Sequence, residues 1–344
     1  MINKEFGSDF HYIYDENVQS NVENYFDCPN FGCFFSGRVA LYNLLKCGHE
    51  KYKWSKVGFP SYYCHEVVDF CRNLPLVIEY YNYNPFDASA EIEWEDKKGA
   101  VFINVDFFGI SKLDCSFLKN TVVIEDLTHN LMSLSMSTAS YCFGSLRKQL
   151  PLAVGGFAWS KQNDFDIELR SNAFSNHVAI QKLTAMYLKG EYLEDRFVDK
   201  DIFRKLYIDA EEHFGNLLTN VGLPKMIQVQ LENLNPEKLI SRTRENIVYA
   251  KMQFESSGDI ALIEGNPTTA MGFMFICRDY TLREKFRTYL ITNNIFPAVL
   301  WPNQIHKRDV EIQQRVLFIH ADFRYNQKDI DVMVDIINKF IKHV

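Results

Sequence analysis

A chain whose short apolar, β-branched runs end abruptly in charge has few folds open to it. Val122-Val123-Ile124 suits a strand buried on both faces, and it gives way at once to Glu125 and Asp126, with His129 three residues beyond Asp126. A second short strand, about Ser140 to Phe143, runs into Ser145-Leu146-Arg147-Lys148, and a Gly155-Gly156 pair follows. In open α/β sheets ligands bind outside the carboxyl ends of the strands, so an acid and a lysine at two such ends face one crevice. Runs of the same kind at Lys56–Pro60, Leu76–Tyr80, Ala100–Val105 and Gly156–Trp159 continue the pattern. Separated by helical or loop crossovers, they predict a mainly parallel sheet with helices on both faces.

One cofactor needs this pair of groups. Pyridoxal 5'-phosphate is an aldehyde held by a lysine, with an acidic partner on its pyridine nitrogen. Asp126 would keep that nitrogen protonated, and Lys148 would hold the aldehyde and later move a proton. The Ser145 hydroxyl, three residues before Lys148, could reach the phosphate. Earlier in the chain, Gly37 to Leu45 reads as a helix with Ser36-Gly37 as its cap, and a helix amino end binds phosphate through its free N–H groups and its dipole. The alternative is a plain Ser-capped helix.

At these residues the chain resembles the DegT/StrS-type aminotransferases, fold-type I pyridoxal phosphate enzymes that mostly aminate keto-sugar nucleotides. The resemblance rests on Glu125-Asp126-x-x-His129, Ser145-x-x-Lys148 and Gly155-Gly156. It extends to Ser36-Gly37-Arg38, Phe59-Pro60-Ser61-Tyr62-Tyr63-Cys64, Asn104 to Gly109 and Ile295-Phe296-Pro297 with Trp301. It implies that Gly37 and Arg38 cradle the cofactor phosphate and that His129 bonds the cofactor's 3' oxygen. The slot for an aromatic ring over the cofactor falls on Cys64, with Tyr63 or Tyr62 as candidates to take it over. Many relatives carry a G-Y-N-x-R motif after the lysine, where this chain has Ser171-Asn172-Ala173-Phe174-Ser175-Asn176, so Asn172 or Asn176 would substitute. Trp301, His320 and Arg324 are candidate substrate contacts.

The expected fold is therefore α/β of fold type I. It comprises a large cofactor-binding domain over residues 1–225, begun by an arm of about 30 residues packed on it, and a smaller α/β domain over 226–344. A helical stretch is expected from about Asp164 to Leu218, with others at Ser241–Phe254, Leu282–Asn293 and after Asn326, and strands at Met271–Cys277 and Arg315–Ala321. The resemblance implies a homodimer and an amino group moved from an amino acid, glutamate for example, to a keto-sugar nucleotide. A sugar dehydratase of the same fold is the alternative enzyme, although dehydratases typically put histidine where Lys148 stands. A binding or regulatory homologue without turnover is the alternative of another class.

Composition narrows the partners. A net charge of −7 without a basic run argues against nucleic acid. No stretch approaches eighteen apolar residues, so no membrane span is expected. The start, MINKEFGSDF, lacks the apolar core of a signal peptide. Eight cysteines without a C-x-x-C suit free thiols in the cytoplasm. Cys64-His65-Glu66 with Cys71 does not make a zinc motif, because H-E-V-V-D lacks the second histidine.

Overall fold

The computed structural model describes residues 4–13, 30–87, 92–164, 167–170, 172–196, 198–214, 219–255, 257–263, 265 and 271–344. In chain order the first part holds β1 (Phe6–Gly7), β2 (Phe31–Phe34), α1 (Gly37–Tyr52), β3 (Lys56–Pro60), α2 (His65–Cys71) and β4 (Val77–Tyr81). Then come β5 (Ala100–Val105), β6 (Val122–Asp126), β7 (Tyr141–Ser145), β8 (Gly156–Ser160), α3 (Ala173–Leu193) and α4 (Lys200–His213). The remainder is α5 (Lys225–Glu232), α6 (Pro236–Lys251), β9 (Ile260–Leu262), β10 (Gly272–Cys277), α7 (Tyr280–Thr292), β11 (Ile295–Phe296), α8 (Lys307–Arg315), β12 (Val316–His320) and α9 (Gln327–Ile341).

Seven strands form one sheet in the order β2-β8-β7-β6-β5-β3-β4. The strands β4, β3, β5, β6 and β7 pair in parallel, and β8 and β2 close the far edge antiparallel. Parallel strands have helices over both faces, and alternate side chains of β7 show it. Tyr141 and Phe143 join the core beneath α1 and α2, whereas Cys142 joins the core beneath α3 and α4. A second sheet, β12-β10-β9, is antiparallel and packs α6, α7 and α9 against itself. Asn326 caps α9 as expected, with Asp329 completing a capping box.

Two expectations need correction. The long helical stretch begins at Ala173 and breaks between Leu193 and Lys200, because Asn172 and Asp199 each cap a new helix with a side-chain oxygen. The amino-terminal arm lies within the described residues only at 4–13, and it is not confined to the first part of the chain. Phe6-Gly7 pairs in parallel with Ile295-Phe296, while the Tyr12 N–H donates to the Met186 carbonyl of α3.

The large sheet meets α1 backbone to backbone. Ser36 caps α1, its oxygen accepting from the Val39 N–H at 3.4 Å. Gly156 of β8 lies so close to that turn that a Cβ there would stand 2.2 Å from the Ser36 carbonyl carbon and 2.3 Å from the Gly37 nitrogen. A methyl group at 156 must therefore push α1 off the sheet. Gly156→Ala is expected to destabilise the protein by about 1–3 kcal/mol, read as a lower urea midpoint at unchanged slope. Gly258→Ala, where a Cβ meets nothing within 4 Å, should leave the midpoint nearly unmoved.

Candidate active site

Parallel register decides which residues share an edge. Val105, Asp126 and Phe143 are neighbours across β5, β6 and β7. The residues that follow Pro60, Val105, Asp126 and Ser145 therefore emerge on one side of the sheet. A cavity of about 360 Å³ opens there, lined by Ser36, Gly37, Arg38, Tyr63, Cys64, Asp126, Thr128, His129, Ser145, Lys148 and Trp301 among others. Gly37, Arg38, Tyr63, Cys64, Asp126, His129, Ser145 and Lys148, all singled out from the sequence, line this one space. Tyr62 does not reach it: its hydroxyl donates to the Leu300 carbonyl at 2.5 Å, and its ring packs on Phe86 and Trp301.

Asp126 is 4 % exposed at the end of β6. One oxygen accepts the Thr128 N–H at 3.0 Å and the other the Tyr63 hydroxyl. Burial raises the Asp126 carboxyl above the usual range, against the pull of these hydrogen bonds. Each carboxylate oxygen has a lone pair to spare, so a cationic N–H in the cavity would find an acceptor and hold the group ionised.

Lys148 ends the single 3₁₀ turn that follows β7. It is half-buried, and burial together with the adjacent Arg147 holds its ammonium below the ordinary lysine range. The nearest acid, Glu211 of α4, is taken by others: Arg147 donates to both its oxygens at 2.9 and 3.1 Å, and Lys182 of α3 donates to one. Lys148 is thereby poised to lose its proton.

His129 is buried, its ring stacked 4.9 Å from Phe108 and 5.3 Å from Trp301. Its Nδ1 accepts the Phe108 N–H at 3.3 Å, which fixes the tautomer with hydrogen on Nε2. Burial, then Lys148 and His320, push its pKa down to about 3, so the ring stays neutral. The floor of the cavity is the amino end of α1. There the first-turn N–H groups of Gly37 and Arg38 lie among the four that no helix carbonyl can satisfy. A Cβ on Gly37 would stand 3.1 Å from Ser145 N, so α1 sits against the end of β7 and beside the Ser145 side chain. Arg38 lines the wall with its guanidinium on Glu66 at 3.0 Å.

Cys64 does line the cavity, at the start of α2, with its thiol raised by burial and drawn down by Lys148. Trp301 forms the opposite wall, whereas Arg324 faces Asp322 and the carbonyls of residues 7–9. Asn172 is occupied in capping α3, and Ser171 lies outside the described residues. Sequence reading missed three positions. Thr128 accepts the Ser145 N–H at 3.1 Å and so ties the Asp126 strand to the lysine strand. Gln149 reaches the His129 carbonyl at 2.6 Å and the Leu131 N–H at 3.0 Å. Gln304 pairs with both backbone groups of Tyr63, at 2.7 and 3.3 Å. Thr128 stands in the turn that the Asp126 side chain starts, a local signal; Gln304 is separated from Tyr63 by most of the chain and gave none.

No protein-family model and no curated protein matches the chain in sequence. Solved structures do match in shape. PseC of Helicobacter pylori, an aminotransferase involved in the biosynthesis of pseudoaminic acid, superposes with a TM-score of 0.62 at 11% identity, over 99% of this chain and 100% of its own. The putative sugar aminotransferase Spr1654 of Streptococcus pneumoniae, in its PMP form, gives 0.59 at 11% identity over 99% and 98%. A DegT DnrJ EryC1 StrS aminotransferase from Brucella abortus gives 0.53 at 12% identity over 90% and 85%. The chain thus has the fold of these enzymes, as its sequence pattern implied.

Neutral burial of His129 has a sign that can be tested. The folded chain stays unprotonated there down to about pH 3, whereas the unfolded chain takes a proton below about 6.5. The stability is therefore complete above the unfolded value and is lost as pH falls, by about 1.4 kcal/mol per unit. Between about pH 6.5 and about pH 5 this residue alone should remove about 2 kcal/mol. Urea unfolding across that range, without added cofactor, should show His129→Gln losing less stability than the wild type by that amount. Equal losses would mean that His129 is protonated in the folded chain.

Proposed function

We propose that the protein is a pyridoxal phosphate-dependent aminotransferase that moves an amino group from an amino acid to a keto acceptor of the keto-sugar nucleotide class. The observation that carries this reading is that Asp126, at the end of β6, and Lys148, in the turn after the neighbouring parallel strand β7, open on one cavity floored by the amino end of α1. The donor set fits the cofactor at each end: a buried carboxylate for a pyridinium, a lysine of lowered basicity for an aldehyde, and N–H groups with a hydroxyl for a phosphate. Spr1654, which shares the fold, is known in PMP and PLP forms, and an NtdA structure from Bacillus subtilis carries bound PMP.

Bound there, pyridoxal phosphate would supply an aldehyde that exchanges amines and a ring that accepts electrons. The chain's own residues then have distinct tasks. The Lys148 Nζ would hold the aldehyde and, when free, would take up and return the proton that the amine exchange requires. A lysine whose pKa is lowered by burial is suited to both directions. Asp126 keeps the pyridine nitrogen charged, oriented by Thr128 and Tyr63. His129 would offer its Nε2–H to the ring oxygen, and Gly37, Arg38 and Ser145 would hold the phosphate. Cys64 or Tyr63 would cover the ring, and Trp301 would exclude water. The reading includes an assembly of at least two copies in the cytoplasm, and a division near residue 225 into a cofactor domain and a smaller domain.

Borohydride reduction should fix a pyridoxyl group on the peptide that contains Lys148. Label on another lysine, or none with cofactor in excess, would refute the assignment. Asp126→Asn keeps the shape and removes a charge-assisted bond worth roughly 1.5–3 kcal/mol. Because the reacting carbanion needs the charged ring more than the resting state does, half-reaction rates should fall about tenfold to a few hundredfold while the protein stays coloured. An Asp126→Asn protein with wild-type rates would reduce Asp126 to a turn former.

A further inference from the structure

A second cavity, of about 290 Å³, lies on the other side of Lys148, and it shares only Arg147 and Lys148 with the first. Its walls are apolar along Phe10, Leu152, Met186 and Phe296. Its inner end is cationic through Arg147, Lys148 and Lys182. Lys182 and Lys189, the latter outside the lining, stand two turns apart on one face of α3, and both are buried, at 3% and 1% exposed. Lys189 is satisfied by the amino-terminal segment, donating to the Asp9 carbonyl at 2.7 Å and the Ser8 hydroxyl at 3.3 Å. Lys182 has Glu211, which it shares with Arg147.

Lys148, Arg147 and Lys182 converge on this end, and the two acids that meet them, Glu211 beside the cavity and Asp9 in its lining, are both exposed to water. Lys182 is buried, whereas its counter-charges are screened by solvent. A buried cation so placed gains from a carboxylate that enters the cavity itself. Arg324, the other buried guanidinium nearby, is already held by Asp322 and by the carbonyls of Gly7, Ser8 and Asp9.

Resting on the function proposed above, we infer that this cavity takes the carboxylate end of the amino donor, an aliphatic acid whose chain lies along the apolar walls and whose anion is held by Lys182 and Arg147. The donor's amine would thereby be presented at Lys148, where it would displace the lysine nitrogen from the cofactor's aldehyde carbon. Lys182 is then a specificity-determining residue at a position of α3 that no sequence motif marks.

Calorimetric titration of the full chain with pentanoate, glutarate and neutral pentanamide tests this, with and without pyridoxal phosphate. The acids should bind and the amide should bind at least tenfold more weakly. Lys182→Gln should weaken the acids roughly tenfold to a hundredfold, the range for a lost charged hydrogen bond. The titration pH supplies a check that needs no loss of fold. Burial and Arg147 lower Lys182 to about 8, so wild-type affinity should fall as pH rises through that value. Of the other groups facing it, besides Arg147 and Asp9, Glu211 is held low by Arg147 and Lys182 and stays ionised, His320 is pushed down by burial and stays neutral, and Tyr207 is raised by burial. Lys148 titrates too, so the decisive variant is Lys182→Arg, which keeps the charge and should lose most of the pH dependence. Acids that bind no better than the amide, or an affinity as pH-dependent in Lys182→Arg as in the wild type, would overturn the inference. If borohydride still labels Lys148, only this inference falls. Acids that bind as expected to a chain that borohydride never labels would instead overturn the donor assignment together with the proposed function.

Discussion

The contact on which this molecule depends is the one between the first turn of α1 and the strands β7 and β8, where glycine leaves no side chain between the backbones. Gly156 admits Ser36 and Gly37, and Gly37 in turn admits the end of β7. That approach aims the unsatisfied N–H groups of a sixteen-residue helix at the same edge where β6 ends in Asp126 and β7 runs on to Lys148. Parallel pairing supplies the rest, since its evenly spaced register lines up strand ends that are far apart in sequence. An anion-binding floor and an acid–lysine pair are thus consequences of one packing event.

The same packing sets the charge states. Asp126, His129 and Lys148 are each pushed by burial toward the neutral form, and each is held back or helped by a specific neighbour. Thr128 and Tyr63 retain the carboxylate's acceptor geometry, and Phe108 fixes the imidazole tautomer. Arg147 adds to the depression of Lys148 while removing Glu211 as a partner. Solvent would erase these differences, because in water all three groups would titrate at ordinary values. Aromatic packing of Trp301 on His129 and Phe108 keeps the water out.

What could be read from the sequence follows from how local each signal is. Strands such as Lys56–Pro60 and Ala100–Val105 matched to the residue, since a parallel strand buried on both faces is a continuous apolar run with turn formers around it. That Asp126 and Lys148 would open on one cavity was legible because charge at the end of such a run is locally anomalous. Helix ends were less legible: α6 starts at Pro236, where Asn235 caps it, five residues before its apolar periodicity becomes plain. The path of the amino-terminal segment was not legible. Its hold depends on Arg324, Lys189 and Tyr207 donating to its carbonyls, and backbone carbonyls carry no residue identity.

Gln304 shows why the site is a property of the whole chain and not of its motif-bearing first half. Its side-chain amide meets both the N–H and the carbonyl of Tyr63, as a strand neighbour's backbone would, while its own N–H is held by Gln313 of α8. The loop that carries Tyr62, Tyr63 and Cys64 is therefore docked on the segment that carries Trp301. A buried peptide group without a partner costs roughly 1–3 kcal/mol, so the two loops are held to one relative position as long as Gln304 stays between them. One loop presents Tyr63 and Cys64 to the cavity and the other its opposing aromatic wall. The cavity consequently acquires its final width only when the carboxyl-terminal segment has folded against the strand ends.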